Sequence, residues 1–142
     1  VKNSKVTVDE KVTGAIGRGL MVLIGVEVGD SEKDAQYIAD KVTGLRIFED
    51  ENGKMNLSVK ETNGKILAVS QFTLLGDVRK GKRPSFTKAA RPEEAQSLYR
   101  RVIENIISQG IDVEEGIFQE EMLVEIYNDG PVTILLDSNK KF

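Results

Sequence analysis

The first 26 residues of the chain carry the apolar patterns of β-strands. Val6 and Val8 alternate with polar neighbours, and a polar turn at residues 9–11 leads into a second apolar segment at residues 12–16. This pattern predicts a β-hairpin. Residues 19–26 then form an apolar run that contains glycines at its start and near its end. Such a run is typical of a strand that is buried on both faces, so we expect three strands here.

Two later segments carry apolar residues at helical spacing. The first begins at Ser31, where Asp34 three residues later makes a near capping box. The second begins at Pro92, which suits the first turn of a helix, and Gly110 is its expected C-terminal cap. The predicted buried faces comprise Ala35, Ile38, Ala39, Val42 and Leu45 in the first helix, and Leu98, Tyr99, Val102, Ile103, Ile106 and Ile107 in the second.

Further strands are predicted between and after the helices. Residues 66–75 form an apolar run, residues 122–126 alternate, and residues 132–136 form a last apolar run. The element order is roughly β-β-(βα)2-β-β-β. It predicts an α/β fold in which mixed β-sheets are layered with two α-helices, as a single domain over residues 1–142.

The composition limits which chemistry the chain can perform. It contains no histidine and no cysteine, which excludes a Ser-His-Asp triad, a Cys-His pair and the usual zinc sites. An enzyme with this inventory depends on hydroxyls, carboxylates, lysines, backbone amides and the substrate itself. No run approaches the ~20 apolar residues of a membrane span, and no secretion signal is recognisable. We expect no cofactor, no metal and no contact with a membrane.

A basic segment lies within an otherwise acidic chain. The net charge is −3, yet residues 79–91 carry six positive charges and no negative one. A basic stripe on an acidic protein is a local anion site, where phosphates can bind. Within it, basic residues flank Phe86 and Ser85, a composition suited to the end of a nucleic acid. The alternative is a solvated loop that serves solubility alone.

Two other places are chemically unusual. Ser70, Gln71 and Thr73 interrupt the apolar run at residues 66–75, and polar groups inside a buried strand cost free energy unless they are hydrogen-bonded. They either line a pocket or are core hydroxyls satisfied by neighbouring backbone. Gly130-Pro131 lies in a dense turn sequence. Because few X-Pro bonds are cis in folded proteins, the bond itself predicts an ordinary trans turn.

Taken together, these segments resemble one family. Ser70-Gln71-Phe72-Thr73-Leu74 and the segment from Asn128 to Thr133 (Asn-Asp-Gly-Pro-Val-Thr) are similar to the two signatures of the D-aminoacyl-tRNA deacylases. Other segments are similar to that family in the same order along the chain, so the resemblance runs essentially from end to end. They are Arg46-Ile47-Phe48, Gly53-Lys54-Met55-Asn56, Gly81-Lys82-Arg83-Pro84-Ser85-Phe86 and Gly116-Ile117-Phe118.

The resemblance implies a function and a place for each site residue. Members are cytoplasmic homodimers that hydrolyse the ester between a D-amino acid and the terminal adenosine of tRNA. It implies catalytic roles for Ser70, Gln71, Phe72 and Thr73, which would surround the adenosine and the ester. It implies a cis Gly130-Pro131 bond that projects into the partner's pocket and excludes the side chain of an L-amino acid. Asn128 and Thr133 would belong to that selective loop, and the expected tRNA contacts are Lys80, Lys82, Arg83 and Phe86.

The residue inventory leaves two mechanisms open. Thr73 is the obvious nucleophile, but a hydroxyl needs an activating base, and the only charged side chain close to it in sequence is Asp77. The more economical hypothesis uses the main-chain N–H groups around Phe72 and Thr73 as an oxyanion hole. The 2′-hydroxyl of the terminal ribose would then position or activate the attacking water.

One departure qualifies the resemblance, and three alternatives compete with it. Family members begin with a short strand ending in Gln-Arg-Val, so this chain, which starts at Val1, is expected to have a truncated first strand without the bracing arginine. The alternatives are a tRNA-editing domain that acts on an L-aminoacyl-tRNA, a non-catalytic RNA-binding protein that uses the basic segment, and an oligomeric structural domain.

Overall fold

Eight β-strands, two α-helices and one 3₁₀ turn make up the regular structure. The computed structural model describes residues 1–142. In chain order the elements are β1 (Asn3–Val8), β2 (Lys11–Ile16), β3 (Gly19–Ile24), α1 (Glu32–Gly44), β4 (Phe48–Glu49), β5 (Met55–Leu57), β6 (Lys65–Ser70), the 3₁₀ turn (Phe72–Leu75), α2 (Pro92–Ser108), β7 (Val113–Glu115) and β8 (Leu123–Tyr127). The predicted α/β fold with two helices is confirmed. The prediction did not locate the short strands β4, β5 and β7.

The predicted N-terminal hairpin is confirmed as part of an antiparallel sheet. Strands β1 and β2 pair around a tight turn in which Asp9 and Glu10 adopt positive φ angles of 47° and 67°. β8 pairs with the other edge of β1, which gives the order β2-β1-β8. Val6 and Val8 are buried on the inner face of this sheet.

The second sheet is parallel, and β6 is its central strand between β3 and β7. Side chains alternate across a strand, and both faces of β6 are covered. Ile66 and Ala68 belong to the core that contains both helices. Leu67 and Val69 belong to a second core against the antiparallel sheet. The molecule therefore has three layers: helices, parallel sheet and antiparallel sheet.

Both helices begin where the sequence predicts. The Asp34 carboxylate accepts the Ser31 N–H at 2.8 Å, as in a capping box, and Pro92 occupies the first turn of α2. The predicted buried face of α2 includes one residue that is not buried, because Ile107 is 52% exposed while Ile106 is fully buried. Successive helical residues point about 100° apart, so the two cannot share one face. Neither helix is long and apolar enough to cross a membrane.

The strand predicted at residues 19–26 is not buried on both faces. β3 lies at the edge of the parallel sheet, and Leu23 is 38% exposed. The fully buried strand is β6, because it has a neighbour on each side and a layer on each face. The predicted strand at residues 66–75 is also too long, since β6 ends at Ser70 and a 3₁₀ turn follows.

The predicted last strand at residues 132–136 does not form in the single chain. This segment has no strand assignment and pairs with no other strand. Ile134 and Leu135 are 49% and 68% exposed. A strand needs a backbone partner as well as an apolar pattern, and within one chain no sheet edge reaches this segment.

Candidate active site

The first predicted site segment lies where the chain leaves β6. Ser70 and Gln71 are half-buried, and Thr73 is exposed together with Phe72, whose exposed fraction is 56%. Ser70 is the last residue of β6, and Gln71 and Thr73 lie in the turn that follows it at the carboxyl end of the central strand. Loops in such positions commonly carry function. The interpretation as a satisfied core hydroxyl is wrong for Thr73, which is exposed.

Backbone contacts fix this turn against the edge strand. The Gln71 N–H donates to the Ile24 carbonyl at 2.8 Å, and the Gly76 N–H donates to the Thr73 carbonyl at 3.0 Å. Gly25 lies directly beneath, so close that a Cβ there would be 3.2 Å from the Gln71 carbonyl oxygen. Gly25 was not among the predicted site residues. The only sequence signal for this role of Gly25 is a glycine within an apolar run, a pattern that marks the close approach of another backbone segment.

No basic group is hydrogen-bonded to the Thr73 hydroxyl. The Gln71 amide nitrogen donates to Thr73 Oγ1 at 3.0 Å, and an amide nitrogen cannot accept a proton from that hydroxyl. Asp77, the nearest carboxylate in sequence, is held by Arg79 through bonds of 3.0 and 2.7 Å. These bonds hold the pKa of Asp77 well below its usual range. A carboxylate with a lowered pKa is a weak general base.

Backbone amides are the remaining electrophilic groups of the turn. Phe72 and Thr73 are the first two residues of the 3₁₀ turn, and the first N–H groups of a helical segment have no acceptor within it. Both residues are exposed. These two amides therefore have no acceptor within the turn and are candidate donors to a developing negative charge.

The predicted tRNA-binding residues lie next to this turn. Lys80, Lys82 and Arg83 are exposed, and none of the ion pairs of the protein includes them. The Phe86 ring packs edge-on against the Phe72 ring, with 5.1 Å between their centroids. The structure therefore brings the basic segment and the Ser70–Thr73 segment together, although Phe72 and Phe86 are well separated in sequence.

The second predicted signature forms an exposed loop after β8. Asn128 Nδ2 donates to Thr133 Oγ1 at 3.1 Å and so closes the loop. The Gly130-Pro131 bond is cis, as the family resemblance implies, and the trans turn expected from the frequency of X-Pro bonds is wrong. Both residues are exposed, and the three atoms nearest to a Cβ built on Gly130 all belong to Val132.

An apolar groove of about 580 Å³ is the main cavity. It lies between β3, the helices and the extended segment at residues 132–138, and 22 of its 31 lining residues are hydrophobic. Leu74, Leu75, Asn128 and Thr133 line it, whereas Ser70 to Thr73, Gly130 and Pro131 do not. The groove therefore borders the turn and includes two residues of the predicted selective loop. No three or more His, Cys, Asp or Glu side chains form a cluster that could hold a metal.

Comparisons with known proteins show which family the chain belongs to. A protein named D-aminoacyl-tRNA deacylase from Thermotoga petrophila is 59% identical over 142 residues, which are 100% of this chain and 95% of that protein. A solved structure named c-Myc DNA Unwinding Element Binding Protein matches with a TM-score of 0.88 and 40% identity, over 94% of this chain and 91% of that chain. A structure described as a probable eukaryotic D-amino acid tRNA deacylase has a TM-score of 0.73 at 19% identity, over 87% of this chain and 88% of that chain, and shares the fold. The family model described as D-Tyr-tRNA(Tyr) deacylase matches residues 1–137, and the chain belongs to that family.

Proposed function

We propose that this chain hydrolyses the ester bond of D-aminoacyl-tRNA and releases the free D-amino acid and the tRNA. The observation that carries the proposal is the contact between an exposed turn rich in hydrogen-bond donors and a loop of exposed cations. The turn offers a place for the ester, and the loop offers one for the adjacent phosphates. Family membership over residues 1–137 supports the same substrate.

The proposed mechanism uses backbone amides and the RNA. Water adds to the ester carbonyl carbon, and the N–H groups of Phe72 and Thr73 stabilise the oxyanion that forms. The carbon–oxygen bond to the ribose then breaks, and the 3′-hydroxyl departs with a proton derived from the water. The neighbouring 2′-hydroxyl positions the water. Gln71 orients the Thr73 hydroxyl through the 3.0 Å bond between them.

Two separate changes, one in the protein and one in the tRNA, test this mechanism. Thr73→Ala keeps most of the deacylation rate, because the alanine retains the amide, while a 2′-deoxy terminal adenosine abolishes hydrolysis. Single-turnover rates with D-aminoacyl-tRNA measure both, and Thr73→Ser is the matched control. A Thr73→Ala variant that binds tRNA normally but no longer hydrolyses it would restore threonine as the nucleophile.

The loop at Gly130 is proposed to reject L-amino acids. Gly130 and Pro131 are exposed, so they can enter a neighbouring pocket as a steric wall. Gly130 has a φ of 139°, which other residues rarely adopt. Gly130→Ala should therefore move the loop and raise the rate on L-aminoacyl-tRNA relative to the D form. Gly29→Ala is the control, because Gly29 also has a positive φ, of 91°, and an added Cβ there meets nothing within 4 Å. Unchanged D/L selectivity in Gly130→Ala would exclude this role for the loop.

The basic segment is proposed to bind the tRNA backbone. Each lysine or arginine that neutralises a phosphate contributes about 0.7 to 0.9 to the slope of log affinity against log salt. Removing Lys82 and Arg83 together should reduce that slope by about 1.4 to 1.8. The control replaces Lys11 and Lys33, which are exposed elsewhere. An unchanged slope would show that the segment is a solvated loop.

A second copy of the chain is proposed to complete the site. The segment at residues 132–136 is extended without a strand partner, and exposed apolar residues border the groove beside it, namely Leu74, Ile126, Ile134, Leu135 and Phe142. A homodimer would cover these residues and bring the Gly130 loop of one subunit to the turn of the other. Light scattering should give twice the chain mass, and Leu135→Glu should produce monomers. A wild-type monomer would exclude the dimer.

Two alternative functions are separated by one assay. The basic segment also favours non-catalytic binding of nucleic acid, and one structural relative is named as a DNA-element-binding protein. Incubation with D- and L-aminoacyl-tRNA distinguishes the cases. Selective hydrolysis of the D form supports the deacylase, hydrolysis of the L form supports an editing domain, and binding without hydrolysis supports the binding protein. A tRNA substrate is the reason to propose a cytoplasmic location.

A further inference from the structure

The exposed turn and the basic segment meet through one aromatic side chain. The Phe86 ring meets the Phe72 ring at an interplanar angle of 72°. It also lies over Gly76, where an added Cβ would be 3.0 Å from the ring. Phe86 is half-buried, although its neighbours Ser85 and Thr87 are exposed. Most of its contact surface is therefore used inside the protein.

Backbone hydrogen bonds also join the end of the turn to the residue before Phe86. The N–H of Asp77 donates to the Ser85 carbonyl at 2.8 Å, and the N–H of Ser85 donates to the Asp77 carbonyl at 2.9 Å. Gly76, one residue earlier, donates to the Thr73 carbonyl at 3.0 Å. The turn, the Asp77–Ser85 bridge and the two phenylalanine rings thus form a closed circuit of contacts. The loop of residues 78–84, which carries Lys80, Lys82 and Arg83, is exposed, and these contacts fix only its two ends to each other and to the turn.

We infer that Phe86 is a positioning residue that holds the Phe72 and Thr73 amides in their catalytic orientation. This inference rests on the proposed function and extends it. Phe86 follows the exposed loop that carries Lys82 and Arg83, and it holds the turn before tRNA binds, without contacting the RNA. Edge-to-face aromatic pairs have a preferred geometry, which suits this role better than an aliphatic contact does. The effect belongs to the rate of the chemical step and not to tRNA affinity.

Three variants test the inference in the intact chain. Phe86→Leu keeps an apolar side chain but loses the edge-to-face contact, so kcat should fall about 10-fold. KM and the slope of log tRNA affinity against log salt should stay within about two-fold of their wild-type values. Phe86→Tyr preserves the ring and should restore the wild-type rate. Tyr37→Leu is the control, since Tyr37 is a half-buried aromatic residue on α1 outside this circuit. A raised KM with unchanged kcat in Phe86→Leu would mean that Phe86 contacts the RNA directly and would overturn the inference.

Amide hydrogen exchange tests the same point without substrate. If Phe86 holds the turn, Phe86→Leu should speed exchange of the Gly76 amide about 10-fold, and Phe86→Tyr should not. Equal exchange in wild type and Phe86→Leu would overturn the inference. A wild-type protein inactive on D-aminoacyl-tRNA would instead overturn the proposed function, so the two failures are distinguishable.

Discussion

Gly25 offers a direct test of how tightly the turn must be placed. A methyl group at this position would lie 2.6 Å from Leu75 Cδ2, 3.2 Å from the Gln71 carbonyl oxygen and 3.2 Å from Leu74 Cβ. The Leu75 methyl can rotate away. The Gln71 carbonyl cannot, because it belongs to the backbone that enters the turn. In Gly25→Ala the turn itself must therefore move.

The size of the effect follows from these distances. Relaxing a 3.2 Å contact to an ordinary separation of about 3.5 Å moves the turn by roughly 0.3 Å. A 1 Å misplacement can cost about 10²-fold in rate, so this shift should lower kcat about 3- to 10-fold. Overpacking costs about 1–3 kcal/mol, offset by about 0.4–1 kcal/mol because alanine restricts the unfolded chain. The net loss is therefore between about 0 and 2.6 kcal/mol, which at about 3 °C per kcal/mol corresponds to a decrease in Tm of up to about 8 °C.

Single-turnover hydrolysis of D-aminoacyl-tRNA and thermal unfolding measure the two effects. Gly17→Ala is the matched control, because an added Cβ there meets nothing within 4 Å. We expect the control to keep both the rate and the Tm. A Gly25→Ala variant with wild-type kcat would refute the reasoning, since the turn would then tolerate displacement without loss of catalysis.

Three further predictions concern polar side chains at the site, in the groove and in the core. Between about pH 6 and 9, Asp77→Asn should keep kcat within about two-fold of the wild-type value, because Arg79 already holds the pKa of Asp77 far below that range. A large loss of kcat would identify Asp77 as the general base. Burial raises the pKa of Asp30, so its charged form destabilises the folded state as pH rises, and Asp30→Asn should increase Tm at about pH 7 but not below about pH 4. Tyr99→Phe removes a 3.1 Å bond to the Ala68 carbonyl and should cost about 0.5–1.5 kcal/mol in urea unfolding; no loss would show that this bond is not stabilising.

The helices were predictable because their signals are local. A capping box at Ser31 and a proline at the start of α2 act within a single turn of helix. The burial of the strands was predicted less well. The runs at residues 19–26 and 66–75 look alike in sequence, yet one became an edge strand and the other the fully covered β6. Burial of a strand depends on its neighbours, and no local pattern contains that information.

The candidate site divides in the same way. The sequence alone determined which chemistry was excluded, because the absence of histidine and cysteine is independent of folding. It also contained both family signatures and the basic segment. Only the tertiary structure decided that Gln71 and Thr73 lie outside the core, that Asp77 is neutralised by Arg79, and that Phe86 reaches Phe72. These outcomes depend on how the chain packs after β6 ends, and only the assembled layers set those distances.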